Sequence, residues 1–149
     1  MFRLYSKSCE YAIRGLMEFY DGNGASAKTL GEVCRKARLP LPFTRKVFQS
    51  LIRKKLLQAV PGPGGGYRLI DKADDIPLIR IIEAVDGKEA LDTCLMGRFA
   101  CKLDDPCILH DTWVKAKDAL LPGLRENTLG DLFRKKRNQS GKKKRKKKR

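Results

Sequence analysis

Six consecutive residues, Pro61-Gly62-Pro63-Gly64-Gly65-Gly66, constrain the chain more than any other stretch. Prolines lack an N–H donor and glycines lack a side chain to pack, so such a run belongs neither in a helix interior nor in a paired strand. It is a loop. On either side lie Leu56-Leu57-Gln58-Ala59-Val60 and Tyr67-Arg68-Leu69-Ile70, short runs with strand composition. A hairpin is expected. Its three consecutive glycines, Gly64, Gly65 and Gly66, let backbone approach a sugar-phosphate surface closely, although a permissive turn has the same composition.

Upstream, Ala12, Ile13, Leu16, Met17 and Tyr20 recur at helical spacing until Asp21-Gly22-Asn23-Gly24 breaks the pattern, which gives a first helix over about 7–20. A second short helix fits Thr29 to Lys36, with Leu30, Val33 and Ala37 on one side. Leu39-Pro40-Leu41-Pro42 reads as a turn, because proline disfavours helical geometry in the residue before it. The third helix follows, with Phe43, Val47, Leu51 and Ile52 inward and Thr44, Arg45, Lys46, Gln49 and Arg53 outward. Two short helices, a turn and a basic third helix make a helix-turn-helix pattern, and a hairpin directly after the recognition helix is a wing. The same outward residues also fit a plain solvated face.

Beyond the hairpin, Ile76 to Val85 is helical, with Ile79, Ile82 and Val85 inward. Residues 88–107 show no sustained period. From Ile108 the period resumes through Leu109, Trp113, Ala116, Leu120 and Leu124, with Pro122 placed to bend the helix. That stripe suits a dimer interface or packing within the chain. Thr128 and Asp131 form a capping-box pattern for a last helix through Leu132 and Phe133. The expected fold is mainly α with a small β wing. Residues 1–87 would be the DNA-binding part, 88–107 a cysteine loop, and 108–133 the dimerisation helices.

Charge separates one further segment. The chain holds 33 Lys and Arg against 17 Asp and Glu, and residues 134–149 carry 12 of the bases and no acid. Such a tail cannot build a core and is expected to be disordered. A polyanion is the expected partner, double-stranded DNA foremost. No apolar run approaches the roughly 18 residues of a membrane span, and Met1-Phe2-Arg3-Leu4 leads into polar residues rather than a signal peptide. The expectation is a cytoplasmic protein without membrane association. With no nucleotide loop, no paired catalytic carboxylates and no nucleophile beside a histidine, neither an enzyme nor a small-molecule substrate is expected.

Five cysteines, at 9, 34, 94, 101 and 107, accompany a single histidine, His110. Reduced thiols clustered in a reducing compartment point to metal or redox chemistry more than to disulfides. Cys94, Cys101, Cys107 and His110 are separated by six, five and two residues, and Cys107 and His110 project to one side of a helical turn. Three thiolates and an imidazole suit zinc or an iron-sulfur cluster, and structural zinc sites usually pair their ligands more closely than the first gap here. Cys9 and Cys34 lie among apolar helix residues and read as packing.

Taken together, Glu10-Tyr11-Ala12-Ile13-Arg14, Gly62-Pro63-Gly64-Gly65-Gly66-Tyr67, Glu83-Ala84-Val85-Asp86-Gly87, the cysteine loop ending in Cys107-Ile108-Leu109-His110, and Thr128-Leu129-Gly130-Asp131-Leu132 resemble the Rrf2 family of bacterial winged-helix regulators. The likeness is greatest to the branch that carries iron-sulfur clusters, and it spans roughly residues 3–133. It implies a DNA-binding homodimer built on the helix after the cysteines. Each protomer would hold a cluster, 2Fe-2S by analogy with 4Fe-4S or zinc as alternatives, on Cys94, Cys101, Cys107 and His110, with Glu10 as the runner-up fourth ligand. DNA contacts fall on Pro42, Phe43, Thr44, Arg45, Lys46, Gln49, Arg53, Gly64, Gly65, Gly66 and Tyr67. Two features depart from that branch. The first cysteine gap is one residue longer, and Pro61 replaces an arginine that enters the minor groove.

Overall fold

The computed structural model describes residues 5–20, 26–92, 94 and 106–135. Three helices come first: α1 (Lys7–Leu16), extended by a 3-10 turn over Met17–Phe19, then α2 (Leu30–Ala37) and α3 (Leu41–Arg53). An antiparallel hairpin of β1 (Leu57–Val60) and β2 (Gly66–Leu69) follows, then α4 (Leu78–Asp86), a 3-10 turn over Lys88–Leu91 and α5 (His110–Glu126). Residues 129–135 are helical.

Local chemistry sets these boundaries. Ser6 caps α1 by accepting from the Cys9 N–H at 3.1 Å, while its own N–H donates to Asp86 at 2.7 Å, so the start of α1 is stitched to the end of α4. Thr29 and Glu32 form a reciprocal capping box on α2. At the other end of α2, Arg38 takes the left-handed conformation (φ 52°), and the Arg14 guanidinium donates to the Ala37 carbonyl. A cation there meets the negative end of the helix dipole.

α3 begins at Leu41, two residues earlier than a helix that follows the Leu39-Pro40-Leu41-Pro42 turn. Pro42 sits in its first turn, where a helix has no internal use for the missing N–H, so the proline is tolerated. The inward face also differs from expectation. Thr44, Val47, Phe48 and Leu51 are buried, whereas Phe43 is 63 % exposed. Phe48 decides this: its ring lies where a Cβ on Gly15 would come within 2.9 Å, so α1 and α3 meet at a position without a side chain. With Phe48 turned inward, position 44 faces the core and position 43 faces out.

The hairpin register is Leu57 to Leu69, Gln58 to Arg68, Ala59 to Tyr67 and Val60 to Gly66. Lys28 adds a bridge to Tyr67 through two backbone hydrogen bonds of 2.9 and 2.8 Å, which anchors the hairpin to the entrance of α2. The main core joins Ala12, Leu16, Phe19, Val33, Phe48, Leu51, Leu56, Ile76, Ile81 and Leu129. A smaller one gathers Cys9, Ile82 and Leu91, with Leu121 and Leu124 of α5 packed against it. The C-terminal segment returns to the body through Leu78 N–H to the Asn127 carbonyl (3.0 Å) and Leu129 N–H to the Ile76 carbonyl (2.9 Å). Among the described residues no helix is long and apolar enough to cross a membrane.

Candidate functional site

On the outer side of α3 the side chains of Leu41, Pro42, Phe43, Arg45, Lys46, Gln49 and Arg53 are exposed. The helix contains no acidic residue. Arg35, Lys36 and Arg38 at the end of α2 are exposed as well. Phosphates and base edges want such a set of donors at the leading end of a recognition helix. Thr44 is not part of it. Its side chain is fully buried and its hydroxyl donates to the Pro40 carbonyl at 2.8 Å, which places it in the core as a fastener of the first turn.

At the wing, Gly62 and Gly64 hold positive φ (88° and 74°), and Gly65 packs so tightly that a Cβ would lie 2.2 Å from the Val60 carbonyl oxygen. Gly62, Pro63 and Gly64 are exposed at the tip, while Gly65, Gly66 and Tyr67 are half-buried. Tyr67 stacks edge-on against Phe48 at 5.3 Å, so its ring serves the junction of wing and α3. No charged side chain occurs between Leu57 and Tyr67, and the tip offers backbone and the Pro63 ring to a partner.

The described members of the thiol and imidazole set are Cys94 and Cys107, within the cysteine loop, and His110 just after it. Cys94 is buried and follows the 3-10 turn whose Leu91 sits in the smaller core. Cys107 is half-buried, and its carbonyl accepts the His110 N–H at 2.9 Å, which puts both residues on one turn at the start of α5. His110 Nδ1 is buried and has no hydrogen-bond partner among the described residues. Buried polar atoms are nearly always bonded, so this nitrogen fits a site completed by a ligand. A thiol at Cys94 and one at Cys107 fit the same soft donor set, whereas Cys101 lies outside the described residues. Among the described residues no three metal-binding side chains converge.

Glu10 is engaged elsewhere. It pairs with Lys7 at 2.7 Å and Arg14 at 3.3 Å, and hydrogen bonding from Lys7 in particular holds its carboxyl below the usual range. Cys9 is fully buried, its thiol pushed up to about 12 by burial and by the nearby Asp86 charge. Cys34 is buried in the main core. Both behave as packing residues. Most of the loop, the turn at 21–24 and the tail from 136 onward lie outside the described residues.

Known proteins share this fold. Residues 5–135 match the family model Rrf2, described as an iron-dependent transcriptional regulator. The HTH-type transcriptional regulator IscR of Escherichia coli is 32 % identical over 130 residues, covering 87 % of this chain and 79 % of that protein. Among solved structures, CymR, the global cysteine regulator of B. subtilis, superposes with a TM-score of 0.74 at 21 % identity, over 89 % of this chain and 97 % of that one. IscR of T. potens gives 0.70 at 22 % identity, over 87 % and 85 %. At those identities the two structures speak to fold, and both share the winged helix. With the family model spanning nearly the whole described body and the α3 face and wing in place, the chain belongs to the Rrf2 family of DNA-binding transcriptional regulators, not to an enzyme family.

Proposed function

We propose that this regulator binds double-stranded DNA as a homodimer and senses iron-sulfur cluster status, nitric oxide or redox state. The cluster, 2Fe-2S as the first choice, would be held by Cys94, Cys101, Cys107 and His110. The observation that carries this reading is the His110 Nδ1, buried and without a partner among the described residues, one helical turn from Cys107. When bound, the cluster supplies a redox-active centre whose charge and integrity respond to the cell. The chain's own part is mechanical. Cys94 continues from the α4 side, Cys107 precedes α5 and His110 opens it, so these residues, holding a common ligand, would tie the two sides of the loop together. Glu10 would have to leave Lys7 and Arg14 to serve as fourth ligand, which favours His110.

The dimer rests on α5. Trp113 is its one buried residue, Leu120 is 37 % exposed, and Ile108 just before it is 96 % exposed. A helix of 17 residues with so little cover within its own chain suits a partner helix.

Anaerobic purification of the full chain, followed by visible absorption, metal analysis and Mössbauer spectroscopy, tests the cofactor. The expected result is a brown protein whose colour is lost on Cys94→Ala, Cys101→Ala or Cys107→Ala and kept on Cys9→Ala and Cys34→Ala. His110→Ala should weaken retention rather than abolish it, because thiolates are the primary iron ligands. A four-iron Mössbauer signature would change the cluster type and leave the reading standing. A colourless protein with stoichiometric zinc, or with no metal, would replace it by a winged-helix DNA-binding protein without a sensing role.

A further inference from the structure

Three successive apolar residues, Leu41, Pro42 and Phe43, stand exposed at the leading turn of α3, at 40 % for Leu41 and 63 % for Phe43. Single exposed apolar side chains are ordinary, but here Pro42 lies on the outward stripe, and Leu41 and Phe43, about 100° to either side of it, flank that stripe at its leading end with apolar surface. Nothing in the packing requires it. The inward stripe of α3 is complete with Thr44, Val47, Phe48 and Leu51, and Phe43 belongs to neither core cluster. The patch therefore faces whatever α3 faces.

Charge identifies that occupant. Arg45 and Lys46 lie in the next turn, Gln49 and Arg53 continue the same side, and α3 has no acid. A protein surface that buried apolar side chains beside the three cations Arg45, Lys46 and Arg53 would need matching acids, whereas a DNA major groove offers phosphates at its edges and one apolar group on its floor. That group is the C5-methyl of thymine. We propose that Leu41 and Phe43 read thymine methyl groups, so that the operator of this protein is specified partly by C5-methyl contacts at the leading turn of α3. Pro42 assists because it brings no N–H that must stay solvated as the turn enters the groove. Arg45 and Lys46, one turn on, supply the polar contacts. This rests on the family's DNA binding and adds the chemical feature that is read.

The test uses chemistry on the DNA. The full-length protein is first used to enrich duplexes from a random library. In the enriched duplex each thymidine in turn is replaced by 2′-deoxyuridine, which removes only the methyl group. One buried methyl contributes about four-fold in affinity. The expected result is a loss of about that size at one or more positions, absent for Phe43→Ala or Leu41→Ala and retained for Phe43→Leu. Both truncated side chains are solvent-exposed, so each variant should fold, and circular dichroism checks that. If no uridine substitution matters, or if the losses persist in both alanine variants, the inference is wrong. Enrichment unaffected by either variant would assign the patch to a protein partner and overturn it too. A chain that enriches no sequence at all would overturn sequence-specific binding itself, a separable failure.

Discussion

Gly66 shows how much of the wing's position depends on one atom that is missing. Its φ is +142°, and a Cβ there would lie 2.4 Å from the Lys28 carbonyl oxygen, which itself accepts the Tyr67 N–H. Strain and a backbone clash coincide, so Gly66→Ala should lose the bridge between Lys28 and Tyr67 and destabilise the fold by on the order of 1–3 kcal/mol. Urea denaturation reads this as a lower midpoint, and an unchanged midpoint would show that the wing base tolerates the displacement. The glycine run is plain in the sequence, but its partner is not, because residue 28 lies far from it in the chain. The same holds for His110. Its spacing to Cys107 is legible, yet only the fold reveals that Nδ1 is buried with no partner among the described residues. Phe43 is the reverse case. Helical periodicity makes 43 and 47 neighbours, and only the close approach of Phe48 to Gly15 shows which side of α3 is inside.

Among the elements, boundaries marked by side-chain chemistry were readable and those set by packing were not. Thr128 and Asp131 mark the last helix as expected: the Thr128 N–H donates to Asp131 at 2.9 Å and the Asp131 N–H donates to Thr128 at 3.2 Å. The start of α3 departs from the sequence expectation because proline disfavours helical geometry in the residue before it, yet is tolerated in a helix's own first turn. The Asp131 box carries a pH consequence. Arg134 first, then the Thr128 N–H and hydroxyl, hold this carboxyl at about 2, below its ordinary 3.8. A carboxyl depressed in the folded state contributes stability above the unfolded value and loses it as pH falls toward the folded one. Between about pH 4 and pH 2, wild type should therefore lose more stability than Asp131→Asn, the remaining acids cancelling in the comparison. Parallel acid profiles for the two proteins would show that the exposed pair with Arg134 is too well screened to contribute.

At the scale of the whole molecule, the cysteine loop joins the two parts that a sensor must couple. Its entry is held by Leu91 in the smaller core, where Ile82 of α4 and Leu121 and Leu124 of α5 meet, and α4 in turn touches α3 through the Ser50 hydroxyl and the Ala84 carbonyl at 3.1 Å. The Ser6 link from α1 to Asp86 closes the same corner. Under the proposed function, a ligand binding both ends of the loop would change how α5 sits on α4, and in a dimer built on α5 that sets the spacing of two α3 helices. The core would not depend on it, because neither Cys94 nor Cys107, the described cysteines of the proposed ligand set, belongs to either core cluster. Cys101→Ala should thus fold and dimerise like wild type, as circular dichroism and sedimentation would show, while losing the cluster. Promoter affinity should then change by the difference in stability of two dimer geometries, and couplings of this kind are typically about 5- to 150-fold. Random DNA should show little of that change, since phosphate contacts alone do not require a fixed spacing of recognition helices. The measurement compares anaerobic, cluster-loaded wild type with Cys101→Ala on a native promoter and on random duplex at one salt concentration. Equal promoter affinities would separate the cluster from regulation at that promoter, even in a brown protein, and an equal change on both DNAs would mean that charge rather than geometry is being altered.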